Sequence, residues 1–114
     1  MRDIETYEDC LFLIDKFYAK LLKDEQIAHY FSDLDLEKHI PRVADFWAFI
    51  LIDKAGYSNN MMAAHAQLQL KEDDFTRWLE LFHSTITELF EGEKATLAIE
   101  RSKLVAWTMK SKLK

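Results

Sequence analysis

Seven large apolar side chains between residues 75 and 90 restrict this chain more than any other feature. Phe75, Trp78, Leu79, Phe82, Ile86, Leu89 and Phe90 recur at i, i+3, i+4, i+7, i+11, i+14 and i+15. A helix gathers those positions on one face, whereas a strand scatters them over two. Gly92 stands where such a helix would stop.

A stripe of that width needs partners, and the rest of the chain supplies them in helical form. Two glycines and one proline in 114 residues leave few sites for tight β-turns. Thr6 and Asp9 resemble a capping box, with Asp where Glu or Gln is usual. Leu11, Ile14, Phe17, Tyr18, Leu21 and Leu22 follow at helical spacing, predicting a helix that ends around Lys23. Asp24 to Phe31 predicts another turn or two. Beyond the polar connector from Ser32 to Lys38, Pro41 predicts a helix beginning close to itself, because proline is best tolerated in a first turn. His39 then falls at or just outside the entrance, and Arg42, Val43, Phe46, Trp47 and Ile50 carry the helix to about Asp53. Lys54 to Asn60 has loop chemistry. A short helix containing His65 and a polar connector through Asp73 and Asp74 follow. The last helix is expected from about Lys94 to Ser111, with Leu97, Ala98, Leu104, Val105 and Met109 inward. No strand-like alternation and no repeat appears. The expected fold class is all-α, a single domain over residues 1–114, and the unequal helices favour globin-like orthogonal packing over a regular four-helix bundle.

Charge and composition exclude several roles. A net charge of −5 argues against nucleic acid or an anionic membrane as partner. The lysines from Lys103 to Lys114 are what a C-terminal helix carries for solvation and for its dipole. No run of about 18 apolar residues is present, and the start lacks the apolar core of a signal peptide, so a cytoplasmic location is expected. Cys10, the only cysteine, sits beside Leu11 and Phe12 and reads as a buried structural thiol. There is no phosphate-binding glycine loop, no Cys-x-x-Cys and no serine elbow.

What remains is polarity on internal stripes: Tyr18, His39, His65 and Trp78. An unpaired buried hydroxyl or indole N–H costs roughly 1–3 kcal/mol, so Tyr18 and Trp78 need partners. They can find them in each other or in backbone carbonyls, as core Tyr and Trp residues commonly do. His65, on the Met/Ala-rich segment Met61-Met62-Ala63-Ala64, is either a satisfied core imidazole or the single axial ligand of a haem iron. Taken one at a time, these residues leave both readings open.

Their joint order narrows the choice. The series Phe17-Tyr18, Tyr30-Phe31, His39-x-Pro41-x-x-x-x-Phe46-Trp47, Tyr57, His65 and Phe75-x-Arg77-Trp78-Leu79-x-Leu81-Phe82 resembles the group III truncated haemoglobins over residues 7 to 109. The resemblance implies a truncated-globin helical sandwich with a shortened first helix, holding haem b (iron protoporphyrin IX). It assigns His65 as the proximal iron ligand. Tyr18 becomes the tyrosine that hydrogen-bonds the iron's ligand, and Trp78 the tryptophan that donates its indole N–H beside it. His39 matches the distal histidine position, which in this family need not donate. Phe31 matches the phenylalanine wedged against the haem, Val43 and Phe46 follow along the distal wall, and Arg42 lies where a basic residue approaches a haem propionate. His29 and His83 match nothing in the pattern and are expected at the surface or rim.

The implied function is binding of O₂, NO or CO at a His-ligated iron. Three surrounding donors favour retention, and with it redox chemistry such as NO dioxygenation or peroxide handling, served by an electron-donating reductase, over simple transport. One alternative is a haem-based gas sensor acting through a partner. Another, from a different class, is a cofactor-free helical interaction or regulatory module, which would be colourless.

Overall fold

Thr6 opens the first helix in the way its sequence requires. Its hydroxyl accepts the Asp9 N–H at 3.1 Å, and the Asp9 carboxylate accepts the Thr6 and Glu5 N–H groups at 3.0 and 2.9 Å. Arg2 pairs with the same carboxylate. Burial alone would raise the Asp9 carboxyl; these hydrogen bonds outweigh it and hold the pKa below the usual value. Helix α1 spans Tyr7–Leu21 and buries Cys10, Leu13, Ile14, Phe17, Tyr18 and Leu21. The Cys10 thiol is pushed up to about 11 by burial and the nearby Asp9, so it is an inert structural group.

This is a computed structural model that describes residues 1–31, 34–54 and 71–112, with side chains to residue 108. The segment expected to carry Gly56, Tyr57 and His65 lies outside the described residues. Among them, a 3₁₀ turn at Ala28–Phe31 precedes α2 at Leu36–Ile52, α3 at Glu72–Leu89 and α4 at Glu93–Lys112. The all-α expectation holds. Helix α1 packs on α2 and α3, α3 packs on α4, and α4 also meets α2.

Helix α2 starts five residues ahead of the position that Pro41 predicted. Asp35 caps it, its carbonyl accepting the Lys38 and His39 N–H groups at 3.2 and 2.9 Å. Pro41 therefore lies inside the helix, where the missing N–H forgoes a bond to the Glu37 carbonyl. Leu36 and Ile40, one turn apart, face α1 across the groove between the helices and give the early start its packing. The correction moves His39 from the helix entrance into the first turn. At the far end Asp53 takes the left-handed conformation (φ 56°), and Lys54 N–H returns to the Ala48 carbonyl at 3.2 Å.

Helix α3 carries the stripe from which the fold was read, with differences at its edges. Phe75, Trp78, Phe82 and Ile86 are buried, and so are Leu81, Thr85 and Asp74, while Leu79 and Leu89 are only partly covered. Phe90 ends the helix in an extended conformation. Gly92 follows in the turn to α4 with φ 142°, and a Cβ there would stand 2.5 Å from Asp3 Cγ. That close approach lets Asp3 cap α4 from the other end of the chain, accepting the Lys94 and Ala95 N–H groups at 2.9 Å each. Helix α4 turns Ala95, Ala98, Ser102, Val105 and Ala106 inward, but Leu104, expected inside, is 53% exposed. Its packing runs along small residues that let the helices approach closely.

Candidate functional site

Tyr18 is the most deeply buried polar residue of the expected site, 2% exposed near the end of α1. Its hydroxyl lies 2.6 Å from His39 Nε2 on α2. The hydroxyl thus has its partner across the helix interface, neither in Trp78 nor in a backbone carbonyl. Burial raises the Tyr18 pKa well above the ordinary phenol value, so the side chain is a neutral hydroxyl with a proton to donate. The tautomer of His39 decides the direction of the bond. A bare Nε2 accepts the phenol proton; a protonated Nε2 donates to the phenol oxygen and leaves the proton of Tyr18 free for another acceptor.

Aromatic rings surround this pair. Phe31, at the end of the 3₁₀ turn, meets Tyr18 edge-on at 5.5 Å. Phe17 lies beside Tyr18 at 5.7 Å and presents its edge to Trp78 at 5.6 Å. Trp78 stacks on Phe82 with centroids 5.5 Å apart and planes 7° apart, and Trp47 stacks on the same ring at 4.9 Å. Phe17 and Phe82 are therefore the floor that connects the Tyr18 and Trp78 sides. Their place on the helical stripes marked them as core, but nothing in the sequence singled them out as the link between two polar residues.

Helix α2 supplies the adjoining wall. His39, Val43 and Phe46 stand at i, i+4 and i+7; Val43 is buried, and Phe46 is half-buried edge-on to Trp47 at 5.4 Å. Arg42 is exposed, and no described contact brings it to this cluster. Its expected role toward a propionate remains outside what the described contacts gather. His65 lies outside the described residues. His29 is exposed and lies against the Tyr30 ring, and His83 is half-buried, 3.2 Å from Ser102 Oγ; no described contact brings either to the cluster. An open groove of about 750 Å³ between α1 and the start of α2, lined by Leu11, Phe12, Leu22 and Ile40, touches the cluster only at Tyr18.

The sequence matches the bacterial-like globin family over residues 6–111. This chain belongs to the truncated haemoglobins. It is 25% identical over 101 residues to a group 3 truncated hemoglobin of Campylobacter jejuni, covering 82% of this chain and 80% of that one. It is also 30% identical over 98 residues to a group 1 truncated hemoglobin of Tetrahymena pyriformis, with 85% and 79% covered. The crystal structure of the group III truncated hemoglobin from Campylobacter jejuni superposes with a TM-score of 0.88 at 23% identity, over 100% of this chain and 96% of that one. The fold is that of a truncated globin.

Membership of the globins implies haem as cofactor. The described residues of this truncated haemoglobin fit one side of such a group. A buried neutral donor and an imidazole pair within a wall of aromatic and aliphatic side chains, so polarity is confined to one place on an apolar surface. An apolar cofactor needs the surface, and a small polar ligand needs the donor. No helix among the described residues is long and apolar enough to cross a membrane.

Proposed function

We propose that this truncated haemoglobin binds haem b through His65 and holds a diatomic ligand against Tyr18, with Trp78 and His39 as the neighbouring donors. The observation that supports this most is the Tyr18–His39 hydrogen bond at 2.6 Å inside an otherwise apolar wall. When bound, haem supplies an iron that takes O₂, NO or CO. The chain supplies the rest. Phe31, Val43 and Phe46 exclude water on the ligand side, and the Tyr18 hydroxyl offers a proton to an acceptor carrying partial negative charge.

The Tyr18–His39 pair gives that donor two uses. Without a ligand, His39 satisfies the hydroxyl and spares the roughly 1–3 kcal/mol cost of an orphaned buried group. With Nε2 protonated, His39 donates to the phenol oxygen, and the hydroxyl keeps its own proton for the ligand while the two bonds polarise each other. A hydrogen bond to a charged acceptor is worth about 1.5–3 kcal/mol, or roughly 10- to 150-fold in affinity. Retention of that size favours redox turnover of a diatomic ligand, for which an electron-donating reductase is the required partner, over transport. The test is the O₂ dissociation rate of the reduced, haem-loaded protein. Tyr18→Phe should raise it at least tenfold, and an unchanged rate would remove Tyr18 from the role.

A further inference from the structure

A buried carboxylate that the site does not use stands at the foot of α3. Asp74 is 5% exposed and accepts three hydrogen bonds: from Tyr30 Oη at 2.5 Å, Gln26 Nε2 at 3.0 Å and the Lys71 N–H at 3.0 Å. One turn along α3, Arg77 Nε donates to Asp24 Oδ2 at 2.7 Å, and the Asp24 side chain is itself nearly buried. Both ends of the 24–31 corner are therefore fastened to the first turns of one helix.

The neighbours of these polar residues give the arrangement its consequence. Phe31 follows Tyr30 directly and meets Tyr18 edge-on; Trp78 follows Arg77 directly and meets Phe17 edge-on. Ile27 and Phe31 already bury the corner with apolar surface. A buried charge adds little net stability over an apolar side chain of similar volume, so what Asp74 contributes beyond apolar packing is the direction of the three hydrogen bonds it accepts.

We propose that Asp74, with Arg77, is a positioning residue that sets where Phe31 and Tyr18 stand relative to Trp78. This rests on the haem reading above. Loosening the clamp leaves every residue that would touch haem or ligand in place chemically, but releases the spacing between the two walls.

The test compares Tyr30→Phe and Asp74→Asn with Lys20→Met. The last variant breaks a different tie between α1 and α3, from Lys20 Nζ to Ser84 Oγ at 3.0 Å and Glu88 Oε2 at 2.8 Å, remote from the corner. Tyr30→Phe is the mild variant and keeps the ring should Asp74→Asn fail to fold. Four readouts are taken: thermal midpoint, the Trp78 indole N–H resonance of the haem-free protein, the rate of haemin transfer to an acceptor globin, and the rate of O₂ release. Tyr30→Phe should shift the Trp78 resonance and raise both rates about three- to thirtyfold, the range expected for perturbing a packed polar network. Lys20→Met should lower the midpoint and leave the resonance and both rates near wild type. Equal effects of Tyr30→Phe and Lys20→Met on the rates, or rates within about twofold of wild type for Tyr30→Phe, would overturn the positioning role. Wild-type protein that takes up no haemin removes the haem reading and this inference together, whereas wild type that loads while Tyr30→Phe matches it removes this inference alone.

Discussion

Replacing His39 by leucine should destabilise the haem-free protein more than removing the tyrosine hydroxyl to which it bonds. In His39→Leu the hydroxyl of Tyr18, a residue only 2% exposed, loses the nitrogen 2.6 Å away. An orphaned buried hydroxyl costs about 1–3 kcal/mol. For a chain of this length each kcal/mol corresponds to about 3–5 °C in Tm, so the drop should lie between about 3 and 15 °C. Tyr18→Phe removes the group together with its need. It leaves the half-buried imidazole of His39 without this one bond, at a cost below about 1 kcal/mol. The double variant Tyr18→Phe/His39→Leu removes both members of this hydrogen bond, so the Tyr18 hydroxyl is not orphaned. Its cost should fall short of the summed single costs by about 1–2 kcal/mol, well outside the few tenths expected for independent sites. Urea titration of the apoproteins measures all four corners of the cycle, with constant m-values confirming that only stability has changed. Costs that add to within about 0.5 kcal/mol would refute the pairing as an energetic unit.

Other substitutions probe the frame that holds the pair. Phe82→Ala removes the ring shared by Phe17, Trp47 and Trp78 and should cost about 3–5 kcal/mol in urea unfolding. Asp3→Ala should cost about 1 kcal/mol by uncapping α4, and Gly92→Ala should cost at least as much, since the added methyl displaces the same carboxylate. For acid unfolding, Asp3, Asp9 and Asp74 all have folded pKa values below the ordinary 3.8: burial would raise each one, but the hydrogen bonds it accepts outweigh this. A depressed carboxyl stabilises the fold above its unfolded pKa, and that contribution disappears as pH falls through the folded value. The urea midpoint should therefore stay level on this account down to about pH 4 and then fall, and Asp74→Asn should make the fall shallower.

The helices were legible wherever large apolar residues carried the periodicity. The α3 stripe located its helix to within a few residues, and Thr6 with Asp9 marked the start of α1. Helix α4 was misread at Leu104 because its inward face is built from Ala95, Ala98, Ser102 and Ala106. Small residues bring helices close but contribute little to a hydrophobic pattern. Pro41 misplaced the start of α2, since local propensity weighs the lost hydrogen bond and cannot weigh the packing of Leu36 and Ile40 toward α1.

Tyr18, His39, Phe31 and Trp78 could be nominated from sequence because they are polar or bulky on apolar stripes in a recognisable order. Their pairing could not. Tyr18 and His39 lie 21 residues apart, and only the way α1 crosses α2 brings the hydroxyl to the imidazole. Asp74 passed as one acid among several in a connector because its partners Gln26 and Tyr30 are 48 and 44 residues away. Acids at a helix start are common for capping reasons alone, so nothing local distinguished it.

Adding haemin to the purified protein tests the haem site most directly. An absorption titration of wild type should give a Soret band that saturates at one haemin per chain. The same titration of His65→Ala should give a weakened band or none, with the helical circular dichroism retained. A wild-type protein that stays colourless, or a His65→Ala variant whose spectrum and haemin affinity match wild type, would contradict His65-ligated haem as the centre of this protein's function.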